Sequence, residues 1–189
     1  MIHTAKAQSH WNYFLAIERD LDVLSRYVEF HEDNFECYSL EIARILLSAA
    51  AEVDVVCKQL YEAEGSESEG IEAHRREITA RFPGLPSFRV EIPKFEMRLR
   101  PWENWQSSQV PGWWTAHNKV KHQRDSHYPQ ANLFNAINAT AALFIAALYL
   151  YRDKACSGLL LPNPQLLRVA EEHIGAYNGE TGAPDVVFI

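Results

Sequence analysis

Glycine and proline are scarce in this chain, at 8 and 9 residues out of 189. Low-complexity and collagen-like chains need far more of both, so those classes are excluded. Cysteine is scarcer still. Cys37, Cys57 and Cys156 form no C-x-x-C pair, which excludes a zinc knuckle and a thioredoxin-type motif. They read as reduced structural thiols of a cytoplasmic protein. Long hydrophobic runs are also missing. No apolar run precedes Trp11, so no secretory leader is expected, and the most apolar stretch, Ala139 to Tyr151, falls short of the ~20 residues that span a bilayer. That stretch is expected to be a buried helix of a soluble protein, without a membrane partner. No Walker A loop, G-x-G-x-x-G, G-x-S-x-G or H-E-x-x-H occurs, so glycine-loop phosphate cradles, the nucleophile elbow and helical zinc protease sites are excluded.

Positive charge is in the minority overall, with 18 Lys and Arg against 25 Asp and Glu and a net charge of −7. Such a chain is poorly suited to non-specific duplex DNA binding, which relies on many phosphate contacts. The charge is uneven, however. Residues 1–80 carry −9, residues 81–130 carry +4 and the remainder −2. A basic patch in the middle of the chain can still hold a few phosphates.

What is present is mostly helical periodicity. Phe14, Ile17, Leu21, Leu24 and Val28 recur three and four apart, which predicts a helix from about His10 to Phe30. Ile42, Ile45, Leu46, Ala49, Val53, Val56 and Leu60 predict a second helix from about Ser39 to Glu64, ended by the polar spacer GSESEG. A shorter helix is expected over Ile71 to Phe82. The period changes to two over 88–99, which predicts a small hairpin or two edge strands interrupted by Pro93. A helix then starts near Pro111, and a long apolar one covers about Gln130 to Lys154. A brief helix near Pro164 to His173 and an irregular tail over 176–189 complete the expectation. The fold class is thus mainly α: one domain over 1–189, a helical bundle with a small β-hairpin insertion.

One segment combines base, cation, amide and aromatic ring. It holds Trp113, Trp114, His117, Asn118, Lys119, Lys121, His122, Arg124 and His127. On a helix Asn118 and His122 share a face, as do His117 and Lys121. A histidine titrates near ~6.5 when unperturbed, so His122 suits proton transfer, and neighbouring cations would neutralise a phosphate oxygen. The plainer reading is a solvated basic helix face with both tryptophans in the core. A zinc site fits less well: His117, His122 and His127 are five apart, whereas ligands on one helix face want a spacing of four, and the adjacent cations oppose a bound metal. Glu18, Asp20 and Asp22 read as the wet side of the first helix. Glu52 and Asp54 are candidates for orienting a histidine.

Two long helices, an insertion, and Asn118-Lys119-Val120-Lys121-His122 before a last apolar helix resemble the HEPN group, the higher eukaryotes and prokaryotes nucleotide-binding helical domains. Many members are metal-independent RNases of toxin–antitoxin and anti-phage systems, with a signature of Arg, four to six residues, then His. The resemblance implies a HEPN-like helical bundle acting on RNA in the cytoplasm, without metal or other cofactor, as a homodimer and with an antitoxin or defence partner. It implies His122 as the motif histidine and Asn118 as the polar position. Where the family has Arg this chain has His117, which if protonated would stabilise phosphate charge with Lys121 or Arg124. Lys119 would add to phosphate binding, and Trp113 or Trp114 would stack on a base. The alternative is a catalytically inactive module that keeps the fold and binds RNA, a nucleotide or a partner protein. Arg26 to His31 and Arg168 to His173 also fit the spacing, but with Tyr27 and Val169 as second residues they read as coincidences.

Overall fold

A computed structural model describes residues 7–61 and 70–188. It is mainly helical with small antiparallel sheets. Helix α1, Ser9–Leu24, buries Trp11, Phe14, Ile17, Leu21 and Leu24 on one stripe. It stops short of the predicted Phe30. The Ser25 hydroxyl donates to the Asp22 carbonyl at 2.7 Å and accepts from the Lys94 ammonium at 2.9 Å. The chain then turns to bring Phe30 against Phe95, with ring centroids 4.7 Å apart. A long-range ring contact therefore takes the residue at which the helix was expected to end.

Helix α2, Leu40–Tyr61, buries the whole predicted stripe. The rest of the predicted end, 62–64, and most of the spacer lie outside the described residues. Helix α3, Ile71–Arg81, begins after Gly70, whose φ of 88° suits a residue without a Cβ. The hairpin forms from β1, Val90–Ile92, and β2, Met97–Leu99, with Pro93 in the turn between them. β1 is not an edge strand. β3, Arg168–Val169, pairs antiparallel along its other side, giving the order β2-β1-β3.

Helix α4, Gly112–His122, starts directly after Pro111, and α5, Arg124–His127, follows a one-residue break. Helix α6, Leu133–Leu150, is the hub of the bundle. It is long and apolar enough to cross a membrane by length and composition, yet fifteen of its residues are buried among the other elements. Its most extensive packing is against α2, and α1 and α4 also pack on it. Alanines at 136, 139, 141, 142, 146 and 147 keep its surface shallow, which permits close approach of larger apolar neighbours. Its start comes after the predicted Gln130 because Asn132 is the N-cap, accepting the Asn135 N–H at 3.0 Å. The helical path ends at Leu150, with only the short α7, Arg152–Ala155, beyond it.

The segment 164–173 is not a helix. Its elements are β3 and a single 3-10 turn, Glu171–His173. The tail is not irregular either, because β4, Ile174–Tyr177, pairs antiparallel with β5, Pro184–Val186. Glu18 explains how this region is anchored. It is buried, not on the wet side of α1, and accepts the N–H groups of Gln165, Leu166 and Leu167 at 3.1, 2.8 and 2.9 Å.

Candidate functional site

The last two turns of α4 divide the sequence-predicted residues into two groups. Asn118, Lys119, Lys121 and His122 are exposed, and Arg124 at the start of α5 is exposed with them. Among the described residues, no carboxylate pairs with Lys119, Lys121 or Arg124. Three cations and an imidazole thus share one solvent-facing end of the helix. Trp113, Trp114 and His117 are buried together with Ala116 and Val120, the residues through which α4 docks onto the bundle, although His117 lies on the same helix face as the exposed Lys121.

Both tryptophans are part of the core. The Trp113 indole N–H donates to the Pro101 carbonyl at 2.8 Å, and its ring meets Trp102 edge-on at 5.2 Å. Trp114 lies against His74 at 6.3 Å and His117 at 5.5 Å. Neither offers a free face to a base, so the expected stacking role falls away and core packing takes its place.

His117 is 5% exposed, and its Nδ1 has no hydrogen-bond partner among the described residues. Burial, reinforced by the Lys121 charge, lowers its pKa to about 4. It is therefore neutral at pH 7. The arginine-like part envisaged for a protonated His117 is corrected on that ground: a neutral ring brings no charge to a phosphate.

Beneath α4 lies a polar network that motif reading missed. His74 of α3 is fully buried, with its Nε2 2.9 Å from Asp54 Oδ1 and its Nδ1 2.9 Å from the Tyr61 hydroxyl. The Lys58 ammonium sits 2.7 Å from the other Asp54 oxygen. Burial acts to raise the Asp54 pKa, but the hydrogen bonds from Lys58 and His74 outweigh it and hold the carboxyl below its ordinary range. With Asp54 ionised, His74 donates from Nε2 and accepts the Tyr61 O–H at Nδ1, so the neutral imidazole is satisfied on both sides. Burial keeps it neutral by lowering its pKa. The network joins α2, α3 and α4 around Trp114. Asp54 was a sequence candidate for orienting a histidine, but nothing local could say that the histidine lies across the 62–69 spacer. Glu52 holds a different one, His10, at 2.6 Å, with Gln59 on the ring's far nitrogen at 2.8 Å.

Neither of the two other Arg-to-His spacings lies within one helix. Arg26 lies in the turn after α1, and His31 is exposed. His173 is buried, stacks on Phe88 at 3.8 Å, accepts the Arg89 N–H at 3.2 Å and donates to the Val187 carbonyl at 3.2 Å. Cys57 is buried, while Cys37 and Cys156 are exposed free thiols. No group of three or more potential metal ligands comes together among the described residues. A cavity of about 300 Å³ lies between Trp11, Phe144 and the 155–186 region, and none of the α4 residues lines it. Compared with known proteins, this chain matches no family model, no curated protein and no solved structure.

Proposed function

We propose that this protein is a HEPN-like domain that acts on RNA through the exposed end of α4, in a bacterial defence or toxin–antitoxin setting within the cytoplasm. The observation that carries the reading is the gathering of Lys119, Lys121 and Arg124, none paired with an acid among the described residues, around His122 on a chain of net charge −7. Cations left without internal partners on an acidic protein favour an external polyanion. RNA is preferred over DNA because the one exposed imidazole in the cluster has a use on RNA: it can accept the 2′-hydroxyl proton.

In that reaction His122 takes the proton from O2′, the O2′–P bond forms and the P–O5′ bond breaks. The imidazolium returns its proton to the departing O5′, leaving a 2′,3′-cyclic phosphate and a 5′-hydroxyl. Lys121 and Arg124 stabilise the charge on the phosphoryl oxygens, and Asn118 orients the phosphate. No metal takes part. A second copy facing the first would double the cationic surface, consistent with the pairing that the family resemblance implies.

A second reading, RNA binding without turnover, is favoured by one observation: burial leaves His117 neutral where the family has a permanent cation. Incubation of a mixed RNA pool in EDTA with wild type and His122→Ala tests both. Cyclic-phosphate ends that disappear in the variant support the nuclease. RNA retained without cleavage by wild type supports the binding module. Neither cleavage nor binding overturns both.

A further inference from the structure

Resting on the RNA reading above, we infer that the substrate is single-stranded, with its unpaired bases stacking on a preformed platform built around Tyr38 and Tyr128. Tyr128 follows His127 directly and opens the 3-10 turn Tyr128–Gln130, which packs against α4. Its ring meets that of Tyr38 edge to face at 5.3 Å. Tyr38 is 48% exposed although its backbone is fixed by a β-bridge to Asn132 and by the Leu133 N–H to the Cys37 carbonyl at 2.9 Å. Next to it Phe134, 45% exposed, lies 5.4 Å from Phe35 and donates its N–H to the Phe35 carbonyl at 3.2 Å.

A lone exposed aromatic is ordinary. Here two exposed rings, Tyr38 and Phe134, and the half-buried Tyr128 are gathered from two separate segments joined by backbone hydrogen bonds, and Tyr128 directly follows α5, which carries Arg124. The rings are held before any ligand arrives, so little ordering is needed on binding. Of the acidic side chains on these segments, Glu36 is held by the Asn132 amide at 3.0 Å. Cations beside π-faces suit a strand whose phosphates and base faces are both accessible. A duplex hides its base faces within the stack, so it would use the cations alone.

The test is fluorescence anisotropy with a short labelled 2′-O-methyl RNA, which cannot be cleaved, as single strand and as duplex. Wild type is expected to prefer the single strand. Tyr38→Ala should weaken single-strand binding by about ten-fold, as loss of one stacked base does, and leave duplex binding unchanged. Tyr38→Phe, which keeps the ring, should bind as wild type. Tyr128→Ala should repeat the loss, and an unchanged melting temperature for Tyr38→Ala guards against a folding artefact. Equal affinity for duplex and single strand, or full affinity in both alanine variants, overturns the platform. If Lys121→Ala and Arg124→Ala weaken binding in that case, the RNA reading survives without it. If wild type binds no RNA, the RNA reading itself fails.

Discussion

Glu18 and His117 are the two buried polar side chains whose surroundings depart most from what their neighbours in sequence suggest. Glu18 satisfies three successive N–H groups of the 165–167 segment, so truncating it strands the buried donors of Leu166 and Leu167. Glu18→Ala is expected to cost about 3 kcal/mol, from hydrogen bonds to a charged acceptor and the desolvation left uncompensated. Chemical denaturation should read this loss, and a change under ~0.5 kcal/mol would mean that the segment is held by packing alone. His117 sets a pH dependence. In the unfolded chain a histidine takes its proton near ~6.5, while the folded protein resists until about pH 4. Stability from this group is therefore complete above pH 6.5 and is lost as the pH falls towards 4, below which both states are protonated. The loss is up to ~1.4 kcal/mol per pH unit within that window. His74 and His173, also depressed by burial, act in the same direction. His117→Phe should flatten the fall of Tm between pH 6.5 and 4, and an unaltered slope would show that the ring is protonated without penalty.

At the scale of elements, the start of α6 carries more than helix propensity. Asn132 caps the helix, binds Glu36 and bridges Tyr38. Asn135 and Asn138 return their amides to the Gln130 and Phe134 carbonyls at 2.9 Å each. The three-residue spacing of these asparagines was visible in the chain, but their separate roles were not. Asn132→Ala is expected to destabilise by about 1 kcal/mol, and Asn132→Ser, which can still cap, to recover most of it in thermal melts. Helix α2 was legible from its apolar stripe, and α3 and α4 from the glycine and proline at their boundaries, Gly70, Pro83 and Pro111. The end of α1 was not, since Phe30, where the helix was expected to end, packs on Phe95 instead. The β4–β5 pair was equally invisible: strands of three or four residues carry too little alternation to stand out from a loop.

For the whole molecule, charge separation is the property to test. If the α4 end engages phosphates, binding of single-stranded RNA should weaken with salt. Removing Lys121 and Arg124 together should reduce the slope of log K against log salt by about 1.4, or ~0.7 per phosphate contact. A slope unchanged by the double substitution would place the RNA elsewhere on the surface. The same pair of substitutions should leave stability nearly unaltered, because neither side chain is engaged by a carboxylate among the described residues.

The sequence by itself determined the helical class, the hairpin over 88–99, the buried apolar helix and the position of the basic segment. Each follows from periodicity or composition within a single window, where side-chain direction is set by local geometry. Tertiary structure alone decided which side chains of that segment meet solvent. α4 turns its tryptophans and His117 inward because α2 and α6 supply the apolar surface they need, and that burial removes the charge His117 was expected to offer. It also decided that His74 answers Asp54, that Glu18 anchors a segment nearly 150 residues away, and that the rings of Tyr38 and Tyr128 meet. Contacts between distant segments depend on how whole faces pack, and no local pattern encodes them.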